Sequence, residues 1–121
     1  MGLQKIKLAA FDLDDTLLLP GGNLSERART AIERACQGGI EIVPASGRAF
    51  SSLPEELLQM PQIHYAITSN GAAVNQTPFG ERIFARCLSA ESTQVILELA
   101  REEELVLEAF VEGIPYAWES Y

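Results

Sequence analysis

The stretch IKLAAFDLDDTL, residues 6–17, decides how the rest of the chain is read. Its first half is a nearly continuous apolar run, the pattern of a short strand buried on both faces. Its second half places Asp12, Asp14 and Asp15 within four positions, with no Lys or Arg close by in sequence. Three carboxylates so close repel one another unless positive charge sits among them. Asp12 and Asp14 are two apart, so their side chains share one side while the chain stays extended.

Working outward, Gly21-Gly22 and Asn23 form a loop, and Ser25 can cap a helix. Ala28, Ala31, Ile32, Ala35 and Cys36 fall at spacings of three and four, one apolar stripe, and Gly38-Gly39 ends it. IEIVPA, 40–45, reads as a second strand running into Ser46-Gly47-Arg48. Pro44 is unexpected there, because proline lacks the ladder donor. Ser52 and Glu55 have capping-box spacing ahead of a short helix with Leu57 and Leu58. HYAITS, 64–69, is a third strand, ending at Asn70-Gly71.

The first seventy residues thus read β-α-β-α-β, which implies a parallel sheet with crossover helices. The clusters DLDDT, SGR and SNG then meet at one sheet edge, beyond the carboxyl ends of the strands, where such folds bind ligands. After Gly71 the pattern changes to a hairpin, a helix from Ser89 with Val95, Ile96 and Leu99 facing inward, and a second hairpin around Glu112-Gly113. This tail reads as a second layer rather than a continuation of the first sheet. The expected division is a core over 1–80 and the start of an α/β cap over 81–121, with Tyr116 and Trp118 in the cap interior.

Composition narrows the function classes. The net charge is −8, with residues 80–121 carrying three basic against nine acidic side chains. That argues against nucleic acid or an anionic membrane surface as a partner. Cys36 and Cys87 have no metal or disulfide spacing and read as free thiols. No apolar run suits a signal peptide or a membrane span, and Ile6 stands where an N-myristoylation signal needs Ser or Thr, so the cytoplasm is expected. An EF-hand loop starting at Asp12 would need Gly and Glu where Leu17 and Asn23 stand. Neither a P-loop nor a GxGxxG element is present.

An apolar strand followed by D-x-D-x-T and Leu resembles the first motif of the haloacid dehalogenase-like (HAD) superfamily of phosphotransferases. SGR resembles that superfamily's second motif, and SNGA followed by a hairpin into a cap is similar to its Cof-like branch, which includes sugar phosphatases. The resemblance implies a HAD-like Rossmannoid α/β core with the start of an α/β cap. It implies Mg²⁺-dependent hydrolysis of a small phosphorylated metabolite, with Asp12 as nucleophile and Asp14 as acid and base. Mg²⁺ would be held by the Asp12 carboxylate and the Asp14 main-chain carbonyl. Thr16, Ser46 and Gly47 would hold phosphoryl oxygens, and Asn70 and Arg48 would face the substrate or cap.

Each residue has a plainer use. Asp12 and Asp14 could form a solvated turn, Asp15 a surface carboxylate, and Thr16 a turn cap. Ser46 could close an ordinary Ser turn, Arg48 could pair with Glu55 or Glu56, and Asn70-Gly71 could be only a turn. His64 reads as a structural edge residue. A phosphomutase would use the same two acids, and a non-catalytic binding module would keep the scaffold without turnover.

The chain departs from the family pattern in lacking a later Lys and a later acidic cluster. Its lysines are Lys5 and Lys7, its aspartates 12, 14 and 15, and Lys7 lies roughly 16 Å back along the strand. The expectation is the N-terminal portion of a longer phosphatase, inactive or nearly so alone. Its first strand would be left as a bare sheet edge open to self-association.

Overall fold

The computed structural model describes residues 5–117. Five strands form one sheet in sequence order: β1 (Leu8–Asp12), β2 (Glu41–Ala45), β3 (Tyr65–Thr68), β4 (Ala73–Gln76) and β5 (Glu81–Ala85). β1–β2 and β2–β3 are parallel, and β3–β4 and β4–β5 are antiparallel. The expected α/β order therefore holds, with one correction. The first hairpin after Gly71 extends the main sheet, because β4 finds the open side of β3 and carries β5 with it.

Helix α1 (Glu26–Gln37) starts as its sequence dictates: the Ser25 hydroxyl accepts the Ala28 N–H at 3.1 Å. Its stripe buries Ile32 against Ile42 of β2, in a core shared with Leu13, Leu18, Leu57 and Ala66. Helix α2 (Glu55–Leu58) adds fully buried Leu57 to that core. The Ser52–Glu55 capping box does not form. Pro54 occupies the cap position, so Glu55 opens the helix and cannot reach back from its third position.

β1 is an outer strand, and the expectation of burial on both faces is corrected. Leu8 is 57% and Phe11 41% exposed, while Ala9 packs on the core. β1 stands at the end of the strand order among the described residues. Pro44 is tolerated inside β2, fully buried, where β2 meets β3 at the single registered pair Ala45–Ile67 and a missing donor removes little.

Helix α3 (Ala90–Glu102) and the hairpin β6 (Glu108–Val111)–β7 (Ile114–Ala117) lie outside the main sheet. Here the inward placement of Val95, Ile96 and Leu99 is corrected: all three are exposed, and Ala100 is the residue of α3 that is buried. No described element covers that stripe. Tyr116 is likewise exposed rather than interior, and Trp118 lies outside the described residues.

Candidate active site

Parallel pairing of β1, β2 and β3 brings the three polar clusters to one end of the sheet. Asp12 is the last residue of β1. The chain then makes one wide turn, closed by the Leu18 N–H on the Leu13 carbonyl at 2.9 Å, with Leu13 fully buried as its anchor. Asp15 sits in the left-handed region at φ 58, a conformation Asp tolerates better than most residues. That explains an exposed Asp at this position without any chemistry.

Thr16 folds back so that its hydroxyl donates to Asp12 Oδ2 at 3.1 Å. Among the described residues this is the only hydrogen bond on the Asp12 carboxylate, so Oδ1 is open. Asp14 meets Arg48 in a two-pronged pair: Nε donates to Oδ2 at 3.0 Å and Nη2 to Oδ1 at 2.5 Å. The positive partner that looked absent from the sequence near the three acids is therefore Arg48, 34 residues away and brought in by the β1–β2 pairing. Its expected alternatives, Glu55 and Glu56, are not its partners. Glu56 instead takes Arg29 at 3.2 Å and the Leu24 N–H.

Hydrogen bonding from the Arg48 guanidinium holds the Asp14 carboxyl below its ordinary 3.8, outweighing the smaller opposing effect of desolvation. The same bond raises Arg48 further into its charged form. Both side chains are partly open to water, so the pair fixes geometry more than it adds stability.

The second and third clusters are knitted together by main-chain bonds. Asn70 N–H donates to the Ser46 carbonyl at 3.2 Å, and Ser69 N–H to the Arg48 carbonyl at 2.9 Å. Ser69 and Asn70 both have positive φ. Ser46 is buried, and its hydroxyl oxygen accepts the Arg48 N–H at 3.1 Å, the Ser-turn arrangement, with its own hydrogen still available to donate. A Cβ on Gly47 would come within 2.8 Å of Asn70 Oδ1, so a side chain there would displace the Asn70 amide. All seven candidate residues therefore gather at one strand-end cluster. His64 does not join them. It pairs with Glu41 at 2.8 Å, at the far end of β2.

An open depression of about 780 Å³ lies on the Asp14 side of the turn, bounded by Arg48, Asn23, Glu55 and Glu56. Asp12 does not line it. The chemistry of the donor set fits a hard cation in part. Asp12 offers an open carboxylate oxygen, but no group of three His, Cys, Asp or Glu side chains converges among the described residues.

Two features escaped the sequence reading. The Ser52 carbonyl accepts Arg48 Nη1 at 3.0 Å, and no residue type marks a main-chain acceptor. Phe50, a large aromatic in the polar loop AFSSLP, was a readable signal. Its ring packs against Gly80, where a Cβ would meet it at 2.5 Å.

Residues 9–119 match the haloacid dehalogenase-like hydrolases, and the chain belongs to that family. It is similar to the HMP-PP phosphatase of Cronobacter sakazakii, 34% identical over 91 residues, which are 75% of this chain and 33% of that protein. A haloacid dehalogenase-like hydrolase from B. subtilis superposes with a TM-score of 0.81 at 28% identity, covering 96% of this chain and 40% of that one. A phosphatase of the same superfamily from Bacteroides thetaiotaomicron superposes with a TM-score of 0.73 at 26% identity, covering 93% of this chain and 41% of that one. The chain spans about a third of the length of the curated relatives it matches. No described helix is long and apolar enough to cross a membrane.

Proposed function

We propose that this chain supplies the nucleophile and the acid–base group of a cytoplasmic HAD-type phosphatase for a small phosphorylated metabolite of the sugar-phosphate kind. The observation that carries the reading is Asp12 at the end of β1, at the edge where three strand ends meet. One of its carboxylate oxygens is bonded by Thr16 and the other is without a hydrogen-bond partner among the described residues.

In this reading Asp12 attacks phosphorus in line, the bond to the leaving oxygen breaks, and an aspartyl-phosphate forms. Asp14 gives its proton to the leaving alkoxide, then takes one from the water that hydrolyses the intermediate. In this reading the Thr16 and Ser46 hydroxyls and the Gly47 main chain would hold phosphoryl oxygens, and Asn70 would face the substrate; the buried Ser46 with its hydroxyl hydrogen unused supports it. Mg²⁺, held by Asp12 and the Asp14 carbonyl, would neutralise phosphoryl charge. Asp14 must begin protonated, whereas Arg48 favours its ionised form. Turnover therefore requires Arg48 to leave Asp14, and the anionic substrate is the natural acceptor for it.

With no further Lys or Asp in these 121 residues, the chain by itself is expected to bind the phosphoryl group and turn it over slowly or not at all. Beryllofluoride with Mg²⁺ mimics an aspartyl-phosphate. Bound ¹⁹F signals are expected for the wild type and none for Asp12→Asn. A wild type that shows none overturns the assignment of Asp12. Brisk Mg²⁺-dependent hydrolysis of an aryl phosphate, lost in Asp12→Asn, would overturn the claim of low activity.

A further inference from the structure

We infer that Phe50 is a positioning residue, tying the seat of the β6–β7 hairpin to the Arg48 guanidinium and through it to Asp14. The inference deepens the reading above, because Arg48 and Asp14 belong to the site proposed there, but the contacts that carry it are independent of any phosphate chemistry.

The turn Phe50–Ser52 follows Arg48 by one residue and is internally closed. Ser52 N–H donates to the Ala49 carbonyl at 3.0 Å and Leu53 N–H to the Phe50 carbonyl at 3.1 Å, with Ala49 and Leu53 both buried. The turn moves as one piece, because shifting any of its residues breaks a main-chain bond or exposes an apolar anchor.

That piece has an inner and an outer attachment. Inward, the Ser52 carbonyl accepts Arg48 Nη1 at 3.0 Å, while the remaining prongs of the same guanidinium hold Asp14. The guanidinium is planar and its donors are fixed in a fork, so the Ser52 carbonyl sets the angle at which the fork meets the carboxylate. Outward, Ser51 N–H donates to the Gly113 carbonyl at the tip of the β6–β7 hairpin, at 3.0 Å.

Phe50 reinforces the outer attachment. It packs against the core, and its side chain lies where a Cβ on Gly113 would be 3.3 Å from its own Cβ. A Cβ on Gly80, at the β4–β5 turn, would be 2.5 Å from its ring. Both glycines have φ near +80, so both suit the backbone conformation, and at Gly80 the aromatic ring leaves no space for a side chain as well. The Phe50 ring thus bears on the core and the β4–β5 turn while its Cβ lies beside the β6–β7 tip, from a turn whose carbonyl grips the arginine of the site.

The consequence is mechanical. When the hairpin sits on Phe50 and Ser51, the turn is held and Arg48 is aimed at Asp14. When the hairpin lifts, the turn loses the Ser51–Gly113 hydrogen bond and the contact at Phe50 Cβ, is held by the Phe50 ring on the core and Gly80 alone, and the guanidinium is freer to leave the acid. The position of β6–β7 then biases whether Asp14 is paired or available.

The test reads the Arg48 side chain directly, in the full 121-residue chain, by Nε–H hydrogen exchange and guanidinium rotation in NMR. Phe50→Ala is expected to speed Arg48 Nε–H exchange about tenfold, the scale of one hydrogen bond, with Phe50→Tyr restoring the wild-type rate and Arg29 unmoved as the internal control. Faster amide exchange at Ser51, whose N–H donates to the Gly113 carbonyl, with Arg48 unchanged would overturn the coupling, and so would no change at either place. If Ala66 and Thr68 amides show that Phe50→Ala unfolds the sheet, Phe50→Leu keeps apolar bulk without the ring and is judged by the same criteria. The beryllofluoride experiment fails or succeeds separately: loss of its signal sinks the phosphatase reading, whereas an unmoved Arg48 sinks this one.

Discussion

Helices α1 and α3 are written in the same local code and meet different fates. Each begins with a Ser whose hydroxyl accepts the N–H three residues on at 3.1 Å, each carries Glu in its first turn and Arg in its last, and each has an apolar stripe. α1 lays its stripe on β2 and buries Ile32, whereas α3 leaves Val95 63% and Leu99 51% exposed. Capping and periodicity decide that a helix forms and which side is apolar. They do not decide what that side meets, because burial requires a surface supplied from elsewhere.

The contrast is broken most sharply by truncating one leucine in each region. Leu57→Ala, at a fully buried position, is expected to cost about 2–5 kcal/mol in urea unfolding. Leu99→Ala is expected to stay within about 0.5 kcal/mol. A comparable loss at Leu99 would mean that a second copy or another part of the molecule covers α3 in solution. Sedimentation at rising concentration would then show whether α3 or the bare β1 edge is the contact.

The caps sharpen the same comparison at smaller amplitude. Ser25→Ala should lower global stability by about 1 kcal/mol, since α1 is part of the core. Ser89→Ala should leave the unfolding midpoint in place and speed amide exchange within α3 alone. A shift of the midpoint by Ser89→Ala would show that α3 unfolds together with the sheet.

This difference also explains what was legible in the sequence. The β-α-β-α-β order and the Ser25 cap could be read because each depends on residues adjacent in sequence, and the meeting of the three strand-end clusters followed from that order, since parallel strands end at one edge. The exposure of β1 and α3 could not, since it depends on what faces them. Within the site, Asp12 and Thr16 lie four apart on one turn, and their hydrogen bond is local. The Arg48–Asp14 pair was missed because it spans 34 residues and is set by the parallel register Asp12–Ala45. Once that register is known, the residue three beyond Ala45 is the natural neighbour of the turn after Asp12.

The pair predicts a pH dependence of definite sign. A carboxyl held below its ordinary value by a cation favours the paired form above that value and loses the advantage as pH falls through the lowered one. The Asp14 carboxyl should therefore titrate below 3.8 in the wild type and move up towards it in Arg48→Ala, followed by the side-chain carbon shift. The Arg29–Glu56 pair, which joins α1 to α2, should be unaffected by that substitution. An Asp14 midpoint unmoved by Arg48→Ala would mean that the two groups are apart in solution.

The smallest effect expected concerns the third acid. Asp15 stands in the turn at φ 58, where Gly is comfortable and a β-branched residue is not. If its place is conformational, Asp15→Gly should change stability by no more than about 0.5 kcal/mol and leave beryllofluoride binding at Asp12 intact. Asp15→Val should cost roughly 1–2 kcal/mol, the strain of forcing a branched side chain into the left-handed region. If instead Asp15 contributes charge to the site, Asp15→Gly would alter beryllofluoride affinity at unchanged stability. The pair of variants separates backbone from electrostatics, because Gly and Val remove the same charge and differ in what they ask of the turn.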